Sequence, residues 1–117
     1  MSDSENRIDY IETPTKNVQA TREFFEGLFG WSFKDFGPDY TAFDDGRMRG
    51  GFFKSDAPAW TKNGSVLTVF YVSNLESAER KVVELGGVIL KPIYSFPGGR
   101  RFHFADPGGS EHAIWSE

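Results

Sequence analysis

NVQATREFFEGLFGW, running from Asn17 to Trp31, is the stretch that decides the fold. Asn17 is a helix-capping residue, Ala20, Phe24, Phe25 and Leu28 recur at helical spacing, and Gly30 supplies a stop. A second stretch repeats the plan. Asn74 opens it, Leu75, Ala78, Val82, Val83 and Leu85 form its apolar stripe, and Gly86-Gly87 ends it. The spacing predicts one helix over 18–29 and another over 75–85.

Short extended runs surround each helix. Ile8 to Glu12 precedes the first and is closed by Thr13-Pro14, while Trp31 to Phe36, Tyr40 to Asp44 and Met48 to Lys54 follow it. Turn-forming Gly37-Pro38-Asp39 and Asp45-Gly46 separate them. Val66 to Val72 precedes the second helix; Val88 to Ile93, Arg101 to Ala105 and Glu111 to Trp115 follow. Ser55 to Ser65, small and polar, reads as a linker between the halves. The expectation is one α+β domain of two pseudo-repeated β-α-β-β-β modules, at about 7–54 and 66–116. A single module would leave the concave face of its sheet bare. The two are expected to combine, within the chain or across a dimer, as a curved mixed sheet around a cavity.

The composition supports a well-filled core: 117 residues with 16% aromatics, twelve of them Phe. A chain of this length buries roughly two-thirds of the surface it exposes when unfolded. A net charge of −4 argues against nucleic acid as a partner, because phosphate binding needs a clustered positive surface. No cysteine is present, which removes disulfides, thiolate metal sites and a cysteine nucleophile. No apolar run approaches a membrane span, and a cytoplasmic address is expected.

Tyr10-Ile11-Glu12-Thr13-Pro14, the run Phe24-Phe25-Glu26-Gly27-Leu28-Phe29-Gly30-Trp31, and the closing Phe104-Ala105-Asp106-Pro107-Gly108-Gly109-Ser110 with Ile114-Trp115 resemble the vicinal-oxygen-chelate superfamily. With Gly50-Gly51-Phe52-Phe53, they are more narrowly similar to its small single-domain, glyoxalase-related branch. The resemblance spans Ile8 to Trp115 and speaks to fold more than to activity, since this fold hosts lyases, dioxygenases, epimerases and binding proteins.

Enzymes of that family hold a divalent metal on four inward-pointing side chains from the first and last strands of each module. The resemblance puts these at Tyr10, approximately Gly50, approximately Leu67 and Ala113. Three of these carry no donor atom, and a neutral tyrosine is a poor ligand. Neither metal nor cofactor is expected.

A turn at Asp106–Ser110 pairs His103 near Ala113 and Arg101 near Trp115. Strand alternation then separates Arg101, His103, Ala113 and Trp115 from Phe102, Phe104, His112 and Ile114, so the two histidines face opposite ways. The first set is expected to line the cavity, with Tyr10, Glu12, Leu67, Val69 and Tyr71, and with Phe52 from the first module. Glu12 and His103 are candidate proton-transfer groups: desolvation would disfavour a charged Glu12 unless Arg101 or His103 pairs with it, and a free histidine titrates near ~6.5. Arg101 could clamp a ligand carboxylate, and Trp115 and Phe52 could stack on a planar ligand. Each also has a structural reading, as ion pair, solvated charge or core.

Two outcomes are expected from this pattern. The first is a homodimeric binding protein that takes a small, partly apolar molecule without metal, as drug-resistance members of the family do. The second is a metal-independent isomerase or lyase using Glu12 and His103; a metal-dependent lyase or dioxygenase would need a non-standard site.

Overall fold

The computed structural model describes residues 5–117. Strand β1 (Tyr10–Thr15) leads into helix α1 (Val18–Phe29), followed by β2 (Ser32–Asp35), β3 (Tyr40–Asp44) and β4 (Arg49–Lys54). The linker carries a single 3-10 turn at Thr61–Asn63. Strand β5 (Thr68–Tyr71), helix α2 (Leu75–Glu84) and strands β6 (Val88–Phe96), β7 (Gly99–Ala105) and β8 (Glu111–Ser116) complete the chain.

Each half forms its own mixed four-stranded sheet, in the orders β1-β4-β3-β2 and β5-β8-β7-β6. The topologies are identical, with the first strand of each module pairing parallel to the last. The duplication expected from the two capped helices is thus present strand for strand. Asn17 Oδ1 accepts from the Ala20 amide and Asn74 Oδ1 from the Ser77 amide, both at 3.0 Å. Gly30 ends α1 at a φ of 71°, a left-handed conformation that costs glycine nothing.

Several strands run further than the sequence suggests. Among them, β1 continues through Pro14 to Thr15, and β6, with Pro92 inside it, continues beyond Ile93 to Phe96. Both lie at sheet edges, where a residue without an amide hydrogen leaves no ladder bond unmade. In β6 the register against β7 also shifts between Ile89 and Lys91 and again before Tyr94.

One core joins the modules. Phe25 is fully buried, with ring centroids 5.0 Å from Trp31, 5.3 Å from Phe52, 5.9 Å from Phe70 and 5.3 Å from His112. Phe24 reaches Phe104 at 5.7 Å. The helices therefore sit over the faces of both sheets that carry Phe52, Phe102, Phe104 and Ile114. The opposite faces are left more open, with Tyr10 40%, Val69 42% and Tyr71 52% exposed.

The linker is strapped to the β7–β8 turn. Ala59 receives a bond from the Glu111 amide at 2.8 Å and gives one to Ser110 Oγ at 2.9 Å, and Trp60 Nε1 donates to the Gly109 carbonyl at 2.8 Å.

Candidate functional site

The register of β7 against β8 is Arg101 to Trp115, His103 to Ala113 and Ala105 to Glu111. This puts Arg101, His103, Glu111, Ala113 and Trp115 on the face turned away from the helices. Across β8, Val69 pairs with Ala113 and Tyr71 with Trp115, extending the same face.

A directed chain of hydrogen bonds crosses it. Arg101 Nε donates to Tyr94 Oη at 2.5 Å. The tyrosine lies 2.9 Å from His103 Nε2, and His103 Nδ1 lies 2.8 Å from Glu111 Oε2. The remaining Glu111 oxygen accepts from the Thr61 amide at 2.8 Å and its hydroxyl at 2.9 Å. Burial pushes the Glu111 carboxyl up, but the Thr61 amide, His103 and the Thr61 hydroxyl outweigh it and hold the group below the ordinary carboxyl range.

Beside this chain lies an aromatic trough. The Arg101 guanidinium sits 5.3 Å over the Phe96 ring, Phe96 is 6.2 Å from Trp115, and Trp115 is 5.1 Å from Tyr71. Val69, Phe96, Gly98, Arg101 and Trp115 enclose about 270 Å³. Val69 and Trp115 also line an adjoining cavity of about 650 Å³, whose other walls include Trp31, Arg47 and Tyr71. The Glu117 carboxylate accepts from the Tyr71 hydroxyl and raises its pKa above the ordinary phenol value.

Glu12 belongs to a different cluster. Its carboxylate accepts from Tyr40 Oη at 2.9 Å, and because that spends the one Tyr40 hydrogen, Tyr10 must donate to Tyr40 at 2.6 Å. Burial, then the Tyr10 and Glu12 contacts, push the Tyr40 phenol well up. Strand β4 stands between the strands of Glu12 and Tyr40, and Gly51 on it has no side chain to keep them apart.

The expected lining residues are thus divided between two places. Tyr10 and Glu12 line a groove of about 510 Å³ between the modules, with Pro58, Val66 and Glu111. Val69, Arg101 and Trp115 line the trough, with Tyr71 at its end and His103 behind it, 4% exposed. Ala113 is fully buried between His103 and Val69 in the ladder, and Leu67 lies just before β5. Glu12 is exposed rather than desolvated, and it meets neither Arg101 nor His103. Phe52 departs from the expectation altogether. It points to the helix side, 2% exposed against Phe25 and Phe43, because β4 is offset by one residue from the assumed alternation.

That offset also moves the position on β4 that faces away from the helices from Gly50 to Gly51. A β-carbon on Gly50 would meet Phe43 on the core side at 2.5 Å; one on Gly51 would meet Tyr40 Oη at 2.0 Å. The residues do not fit the divalent metal of the resemblance. Gly51, Leu67 and Ala113 offer no donor, the Tyr40 phenol occupies the space off Gly51, and among the described residues no three His, Asp or Glu side chains converge.

Sequence reasoning missed Tyr40, Tyr94 and Glu111. Glu111 was within reach, since it lies two residues before Ala113 and therefore on the same face. Tyr94 was hidden by the register shifts of β6. The second histidine, His112, is structural: it sits among Phe25, Phe70 and Phe104, with Nε2 2.7 Å from Asp106, whose other oxygen accepts the Gly108 and Ser110 amides of the turn.

The chain belongs to the glyoxalase/bleomycin resistance protein/dioxygenase superfamily, whose family model matches residues 7–114. Among curated relatives it is 30% identical over 124 residues to the anthracycline biosynthesis protein DauV of Streptomyces sp. strain C5, an alignment covering 91% of this chain and 45% of that protein. The chain spans about half the length of the curated relatives it matches. Among solved structures, a glyoxalase-related enzyme from Fulvimarina pelagi superposes with a TM-score of 0.78 at 21% identity, covering 96% of this chain and 88% of that one. The fosfomycin resistance protein FosX from Listeria monocytogenes, solved with Mn(II), gives 0.78 at 14% identity, covering 94% and 89%. At these identities the structures show a shared fold. No helix among the described residues is long and apolar enough to cross a membrane.

Proposed function

We propose that the protein binds a small, planar, partly aromatic molecule in the trough of its second sheet, and that it does so without a metal. One observation carries this reading: Tyr71, Trp115 and Phe96 follow one another along an open sheet face that ends in the Arg101 guanidinium. Apolar walls with a few convergent polar groups are the usual makeup of a small-molecule site. The likeness to an anthracycline biosynthesis protein supports a polycyclic, oxygen-bearing aromatic as the ligand. The donor-poor residues at the metal positions support binding by stacking and hydrogen bonding instead of chelation.

A second copy of the chain is part of this reading. Val69 and Tyr71 are 42% and 52% exposed on the sheet that carries the trough, and a homodimer would enclose that face with the trough lying between protomers. The cytoplasm is proposed as the place of work, the address expected from the sequence.

The probe is 1,4-dihydroxyanthraquinone, a planar hydroxyquinone, followed through quenching of tryptophan fluorescence. Saturable binding is expected, and Trp115→Ala should weaken it roughly 2- to 10-fold, the worth of one aromatic stacking contact at about 0.5–1.5 kcal/mol. An absence of saturable quenching overturns the proposal. Light scattering tests the dimer: a mass of twice 13.2 kDa is expected, and 13.2 kDa alone refutes it.

A further inference from the structure

We propose that Tyr94, His103 and Glu111 form a proton relay that takes up the acidic hydroxyl proton of a ligand seated against Arg101. The proposal rests on the aromatic trough being the binding site, and it adds the chemistry of that site.

The directions of the hydrogen bonds carry it. A guanidinium has no acceptor, so in the 2.5 Å contact Arg101 Nε donates and Tyr94 Oη accepts. His103 Nδ1, 2.8 Å from the Glu111 carboxylate, donates to it, and a neutral imidazole then presents its Nε2 lone pair to the Tyr94 hydroxyl at 2.9 Å. The other Glu111 oxygen is committed to Thr61. In that tautomer the His103 lone pair is aimed along the chain toward the trough, with its carboxylate partner in place. His103 and Glu111 are 4% and 8% exposed, so bulk water does not readily supply the proton. Arg101 lines the cavity wall, and its contact brings the phenol oxygen to within one hydrogen bond of that wall.

The O–H bond of the ligand breaks and its proton joins Tyr94 Oη while the Tyr94 hydrogen passes to His103 Nε2. The ligand becomes an oxyanion beside Arg101, and His103 becomes an imidazolium beside the Glu111 carboxylate. No net charge is created, and each new charge is born next to an opposite one. Other charged or titratable groups around the relay include Lys91 on β6, whose ammonium lies 5.9 Å from the Tyr94 ring, Tyr71 with Glu117 at the far end of the trough, and Tyr10 and Glu12, which share a groove with Glu111. The ligand class is a planar aromatic carrying an acidic phenol or enol. Trp115 and Phe96 take the ring, and Arg101 with Tyr94 takes the oxygen.

The 117-residue chain and 1,4-dihydroxyanthraquinone provide the test, because this dye changes colour when a hydroxyl ionises. At a pH where the free dye is neutral, the bound dye is expected to show its anion spectrum. Calorimetric heats measured in buffers of different ionisation enthalpy should reveal no proton released, since His103 retains it. Tyr94→Phe keeps the ring but breaks the relay, and should return the bound dye to its neutral spectrum while weakening binding by about the factor by which anion outweighs neutral dye on the native chain. His103→Gln should do the same and decides the matter if the first variant does not fold. A bound dye that stays neutral, or an anion formed with one proton released to buffer, overturns the relay while leaving the binding site standing. Variants that keep both the anion spectrum and the retained proton also overturn it. A dye that does not bind overturns the binding reading itself.

Discussion

The phenol of Tyr40 fills the space above Gly51: a β-carbon there would lie 2.0 Å from its oxygen and 2.4 Å from Cζ. Tyr40 reaches over β4 to Glu12 only because Gly51 has no side chain. Gly51→Ala should therefore displace the ring and cost about 1–3 kcal/mol, the usual penalty for overpacking. Combined with Tyr40→Ala, the two losses should fail to add, with a coupling of order 0.5–3 kcal/mol in denaturant unfolding. Strict additivity would show that the contact does not govern the position.

The same contact bears on metals. A native site saturated a hundredfold above its Kd would add about 2.7 kcal/mol to stability. With the metal positions donor-poor and Tyr40 in the way, excess Mn2+, Zn2+ or Ni2+ should leave the melting temperature unmoved. A clear upward shift with any one of them would require donors converging from elsewhere.

Phe25 touches both modules, through Phe52 and Trp31 on one side and Phe70 and His112 on the other. Phe25→Ala should cost about 3–5 kcal/mol, and the remaining structure should still melt in one step, because the core is shared. Two separated transitions would mean that the modules fold independently.

Glu111 sets a pH dependence. Its carboxyl is held below the ordinary value of 4.5, so the stability it contributes is fully present above that pH and declines as pH falls through the lower folded value. The melting temperature of the native chain should drop more steeply below pH 4.5 than that of Glu111→Gln. Glu76, lowered mainly by Arg100, acts in the same sense in both proteins, so the difference between the curves isolates Glu111. Parallel acid limbs would contradict the assignment.

The sequence by itself determined everything governed by neighbours along the chain. Asn17 and Gly30 bound α1, Asn74 opens α2, and the short turn at Asp106–Ser110 sets the register that places Arg101 and His103 opposite Trp115 and Ala113 and turns the two histidines apart. These are local matters, where a cap or a turn leaves one geometry. Positions on strands without such an anchor were decided by the tertiary structure. A one-residue offset in β4 sent Phe52 into the core and exchanged Gly50 for Gly51, since every step along a strand reverses the face. The irregular β6 brought Tyr94 to His103, and a side chain missing at Gly51 gave Glu12 to Tyr40 in place of Arg101. Which polar groups meet depends on how strands stack across a sheet, and periodicity along a single strand carries no record of that.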